Sequence, residues 1–71
     1  MTNTELLRKK IDESGYKMKF LAEKCGLSYQ GFLNKVNGQT EFTTSEACCI
    51  RDLLNLDADT MEAVFFAAEV E

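Results

Sequence analysis

Histidine, tryptophan and proline are absent from the sequence, glycine occurs four times and cysteine three times. A chain with no proline, little glycine and many helix formers favours an all-α domain over a sheet protein. With no histidine, no phosphate-cradling glycine loop and no nucleophile beside an evident base, no catalytic constellation is recognisable, and the chain reads as a non-enzyme. The cysteines, Cys25, Cys48 and Cys49, are odd in number and two are adjacent, which suits neither a secreted disulfide framework nor a metal knuckle. No metal or cofactor is therefore expected. Cys25 reads as a small core residue, with one of Cys48 and Cys49 facing inward, and a redox switch is the alternative use of the three. No apolar run approaches the roughly 20 residues of a membrane span. The opening MTNTELLRKK lacks the cationic-then-apolar order of a signal peptide, so no membrane partner and a cytoplasmic location are expected.

The 71 residues are enough for one domain with one core. Such a chain buries only about 60% of the surface it exposes when unfolded, so its stability is marginal. The net charge of −4 is unevenly divided. Residues 1–40 carry seven basic side chains (Arg8, Lys9, Lys10, Lys17, Lys19, Lys24, Lys35) against four acidic ones, a balance of +3. Residues 41–71 carry Arg51 against eight acidic side chains, a balance of −7. This asymmetry fits a molecule with one face toward phosphate and another toward water or a partner.

Helix signals recur along the chain. Thr2 and Glu5 have capping-box spacing, Leu7 and Ile11 give a first helix its inward face as far as about Ser14, and Gly15 ends it. Met18, Leu21 and Cys25 place one apolar stripe on a second helix that stops at Gly26, where glycine tolerates the left-handed conformation of a sharp turn. Leu27 plugs the corner, Ser28 can cap a third helix, and Phe32 and Val36 face that helix inward until Asn37-Gly38 closes it. Ala22 is small where the two helices must approach. Phe42 folds back from a polar connection. Thr43 and Glu46 form a second capping box for a helix with Ala47, Ile50, Leu53 and Leu54 inward, and Asp57 caps a last helix carrying Met61, Val64 and Phe65. Lys17 and Lys19 fall near the amino end of the second helix, where the dipole disfavours a cation unless a phosphate is close.

The stretch from Met18 to Gly38, with Leu21-Ala22, Cys25, Gly26-Leu27-Ser28, Phe32 and Asn37-Gly38 in register, resembles the helix-turn-helix of Cro and phage repressors, the XRE-like family of small transcriptional regulators. It departs from the family pattern at Lys17-Met18, where Thr-Gln is frequent, at Cys25 in place of leucine, and at Tyr29 and Gly31. The resemblance implies a compact four- or five-helix domain that binds double-stranded DNA as a sequence-specific regulator, a repressor of phage, prophage or bacterial origin.

Carried over position by position, the resemblance makes residues 28–37 the recognition helix in the major groove. Tyr29, Gln30, Leu33 and Asn34 would meet the bases. Ser28, Lys35, Asn37, Gly38 and Gln39, together with Lys17 and Lys19, would meet the backbone. Glutamine and asparagine offer a donor and an acceptor side by side, matching adenine N6 and N7 and favouring an A·T pair. Gly31 costs the helix up to about 1 kcal/mol relative to alanine, which implies a packing or contact reason for it.

Two expectations concern partners. Phe65 and Phe66 diverge by about 100° on a helix, so only one can enter the domain's own core. The other lies along the flank or meets a second copy in a homodimer, with Val64 and Val70 adding to the face. The alternative function is a protein-interaction module, such as an antitoxin whose acidic half binds a basic protein partner.

Overall fold

The computed structural model describes residues 2–66. They form five helices and no strand: Thr4–Ser14 (α1), Met18–Lys24 (α2), Tyr29–Val36 (α3), Thr44–Leu54 (α4) and Ala58–Phe65 (α5). Helices α3, α4 and α5 each begin at a side-chain cap that the sequence marks. Ser28 caps α3 by accepting from the Gly31 amide, and Asp57 caps α5 by accepting from the Thr60 amide at 2.7 Å. At Thr43 both halves of the capping box are made, the Thr43 amide donating to Glu46 at 2.9 Å and the Glu46 amide to Thr43 Oγ1 at 3.2 Å. Such caps are typically worth about 1 kcal/mol each.

The first cap differs from the expected Thr2–Glu5 box. Asn3 takes that role, its side-chain oxygen accepting from the Leu6 amide at 3.1 Å. Tertiary structure decides the shift: the Asn3 amide donates to the Val64 carbonyl at 2.7 Å, which ties the chain's entry to α5 and leaves Thr2 buried.

Leu7, Ile11, Leu21, Phe32, Val36, Ile50 and Val64 are fully buried, and Ala22, Ala47, Met61 and Phe65 complete the core. Met18, Cys25, Leu53 and Leu54 pack on it while staying partly exposed. Burying each large side chain contributes about 1.5–3 kcal/mol, so the inward stripes account for most of the cohesion. α2 packs chiefly on α3, α1 touches α3, α4 and α5, and α4 backs α2. Phe42 leaves its connection to stand edge-on to Phe32 at 6.1 Å and to Phe65 at 5.3 Å. A loop aromatic thus joins α3 to α5 in the quadrupole-favoured geometry.

The divergence at the end of α5 is resolved. Phe65 is 6% exposed and Phe66 57% exposed. Val64, also counted toward the dimer face, is fully buried in the domain's own core and so adds nothing to that face, and Val70 lies outside the described residues. Among the described residues no helix is long and apolar enough to cross a membrane.

Candidate nucleic-acid interface

The corner between α2 and α3 is set by backbone hydrogen bonds. The Leu27 amide donates to the Ala22 carbonyl at 2.9 Å and the Gly26 amide to the Glu23 carbonyl at 3.1 Å, the paired bonds of a Schellman ending. Gly26 holds φ +73°, a conformation that costs a side-chain-bearing residue but not glycine. Leu27 then packs, partly buried, against the core that includes Ala22, which is 1% exposed. The axis of α3 is therefore fixed relative to α2 by a turn of only four residues, 25–28.

Phe32 and Val36 face inward, and the positions beside them on α3 turn away from the core to differing degrees. At about 100° per residue, Tyr29, Gln30, Leu33, Asn34 and Asn37 share one arc of about 140°. Tyr29 and Gln30 are exposed, and Leu33 and Asn34 are partly so. Gln30 Nε2 donates to Asn34 Oδ1 at 3.0 Å, one turn away. This bond leaves the Gln30 carbonyl oxygen as an acceptor and the Asn34 amide hydrogens as donors, so the pair presents both functions outward as a unit. Gly31 has a local reason: a Cβ there would stand 2.9 Å from Ser28 Oγ, the atom that caps the helix through the Gly31 amide at 3.0 Å.

The far end of α3 holds the other expected positions. The Gly38 amide donates to the Lys35 carbonyl at 3.1 Å and the Gln39 amide to the Asn34 carbonyl at 2.8 Å, so both amides close the helix. Gly38, at φ +85°, also passes close to α1, where a Cβ would be 3.3 Å from Thr4 Cγ2. Lys35 is turned inward to the molecule's own acceptors, its ammonium 2.9 Å from the Glu41 carbonyl and 3.1 Å from Glu46 Oε1, with both charged side chains 16% exposed. Burial alone would raise the Glu46 carboxyl, but hydrogen bonds from Thr43 and the Lys35 ammonium outweigh it and hold the group below its ordinary value. Asn37 accepts a hydrogen bond from the Arg8 guanidinium through Oδ1.

Arg8 is the residue that sequence reasoning missed as a member of this surface. It lies 29 positions from its partner, and no local pattern connects the two. On the other side of α3, Lys19, Ala22, Glu23, Leu27 and Tyr29 line a groove of about 450 Å³ between α2 and α3. Lys17 precedes α2 as an exposed residue without a capping bond. The Lys24 ammonium sits over the Phe20 ring at 5.5 Å, and Tyr16 stacks on Phe20 at 5.0 Å, so that lysine has a place of its own on the flank.

The structure thus gathers Lys19, Tyr29, Gln30, Leu33, Asn34, Asn37 and, unexpectedly, Arg8 around the outer side of α3. It gives Lys35, Ser28 and the Gly38 and Gln39 amides roles within the protein. Phe66 stands away from them, lining a separate groove with Arg51, Ala58, Met61 and Glu62. Among the described residues no group of three or more histidine, cysteine, aspartate or glutamate side chains is placed to hold a metal ion. Comparison with protein-family models, with curated proteins and with solved structures finds no match.

Proposed function

We propose that the protein is a sequence-specific double-stranded DNA-binding regulator, acting as a repressor, with α3 inserted in the major groove. The observation that carries this reading is the Gln30–Asn34 pair on the outward arc of a short helix whose axis is fixed by the tight α2–α3 corner. An α-helix fits the major groove, and a side-chain amide pair matches the donor and acceptor edge of adenine there. Tyr29 and Leu33 flank the pair, and Leu33 supplies an apolar surface suited to a thymine methyl.

Arg8 beside Asn37 at one end of α3, and Lys17 and Lys19 at the other, serve as phosphate anchors that set register. Lys35 contributes by holding Glu46 neutralised near that surface rather than by direct reach. Such a protein represses by occupying its site, and no catalytic step is required of it.

Two copies related by a two-fold axis would read half-sites about 34 Å apart, and Phe66 is the apolar side chain exposed for such a contact. Fluorescence anisotropy of labelled duplexes tests the DNA reading. Binding to a selected sequence should exceed binding to a scrambled one by about 10³-fold or more at physiological salt. Equal affinity for the two, or tight capture of a basic protein with no DNA binding, would replace it with the interaction-module reading.

A further inference from the structure

The half-buried thiols of Cys25 and Cys49 meet across the α2–α4 contact with their sulfur atoms 3.0 Å apart, although 24 residues separate them in sequence. Cys25 is the C-cap of α2, immediately before the Gly26 turn, and Cys49 is in the middle of α4. We propose that Cys25 and Cys49 are a built site for reversible oxidation to an intramolecular disulfide, which staples the α2–α3 corner to α4. Cys48, next in sequence to Cys49, takes no part.

Geometry favours a covalent bond over a bridging metal. Two thiolates on one tetrahedral ion with bonds of about 2.3 Å sit roughly 3.8 Å apart, farther than these sulfurs are. A disulfide needs an S–S distance of about 2.05 Å, reached by a closing movement of about 1 Å. The pair is also polarised. The Cys25 S–H donates to the Cys49 sulfur, and the Cys49 S–H is turned to the Lys24 carbonyl at 3.5 Å. Burial, then the contact with Cys49, pushes the Cys25 thiol up to about 12, so Cys25 keeps its proton. Cys49, whose sulfur has the Cys25 S–H aimed at it, is the sulfur assigned to attack first.

With a peroxide as oxidant the chemistry balances. The Cys49 thiolate attacks one peroxide oxygen, the O–O bond breaks, and a sulfenic acid forms as the other oxygen leaves as hydroxide and takes up the proton that Cys49 released, giving water. The Cys25 sulfur then attacks the Cys49 sulfur, the S–O bond breaks, and the Cys25 proton leaves with the departing hydroxide as a second water. Two thiols have lost two electrons and two protons, and the peroxide has been reduced to two waters. The ring so closed contains all of α3, so oxidation constrains the unfolded chain across the reading helix.

Purified protein is treated with hydrogen peroxide at low protein concentration, then assayed for free thiols, for intact mass and for melting temperature before and after reduction. The expected result is a monomer that falls from three free thiols to one, lighter by two hydrogens, with a melting temperature raised by about 10 °C and restored by dithiothreitol. Cys48→Ser should still lose the two hydrogens, whereas Cys25→Ser and, independently, Cys49→Ala should not. Retention of all three thiols, disulfide-linked dimers, or a bond that disappears in Cys48→Ser would each overturn the assignment.

Discussion

Gln30 donates to Asn34 across one turn of α3, so the two amides form one hydrogen-bonded unit rather than two independent side chains. Groups that share a hydrogen bond respond non-additively to removal. Gln30→Ala and Asn34→Ala should each cost about 1–3 kcal/mol at the preferred duplex and little on random DNA. The double variant should cost clearly less than the two losses added. A strictly additive cycle in binding titrations would mean that the amides act separately.

Ala22, 1% exposed on the helix that packs chiefly on α3, leaves little room at that crossing. Ala22→Leu should overpack it and lower stability by roughly 1–3 kcal/mol, whereas Glu23→Leu, on the exposed side of the same helix, should cost little. Thermal melts of both variants decide this, and equal melting temperatures would contradict a crowded crossing.

Gly31 and Ser28 form a second coupled pair, because a Cβ at position 31 would stand 2.9 Å from the hydroxyl oxygen that caps the helix. Gly31→Ala alone should be close to neutral, since the up to about 1 kcal/mol of gained helix propensity is offset by a displaced cap. In a Ser28→Ala background, where no hydroxyl is left to displace, Gly31→Ala should stabilise by up to about 1 kcal/mol. The same change in melting temperature in both backgrounds would mean that the steric explanation of Gly31 fails.

Lys35 and Glu46 predict a pH dependence. The Glu46 carboxyl is held below its ordinary value despite the opposing effect of burial, by Thr43 and Lys35. Its contribution is therefore fully present above the unfolded-state value near 4.5, and is lost as the pH falls through the lower folded-state value. Glu46→Gln keeps an acceptor for the Thr43 amide but removes the charge, so it should melt lower at pH 7, by up to about 1 kcal/mol, and converge with the parent in acid. A difference that stays constant from pH 7 to pH 3 would assign the effect to something other than the ion pair.

Much of this was legible in the sequence, because it depends on neighbours. The Gly26 turn, the Ser28 and Asp57 caps, the Thr43–Glu46 box and the Phe32–Val36 face are chemistry within one or two turns, and each stands where its pattern puts it. Partners set by folding were not legible. Asn3 displaces Thr2 as the first cap because α5 draws in the chain's entry, and Lys35, expected at a DNA phosphate, is claimed by Glu46 and the Glu41 carbonyl. Arg8 and Asn37, and Cys25 and Cys49, meet only once the helices pack.

Phe65 and Phe66 separate fold from assembly. Phe65→Ser should unfold or strongly destabilise the domain by emptying a core position, whereas Phe66→Ser should leave its melting temperature nearly unchanged in the monomer. In sedimentation over a concentration series at high salt, the parent should associate and Phe66→Ser should not. A parent that stays monomeric, both free and on a palindromic site, would remove the dimer.

DNA reading by α3 stands or falls on selection from a random duplex library at low salt, run in parallel with the parent and the Gln30→Ala, Asn34→Ala double variant. The parent should enrich a defined site containing A·T pairs, and the double variant should retain bulk DNA binding while losing that enrichment. No enriched sequence from the parent, or the same sequence enriched by both proteins, would contradict recognition by α3.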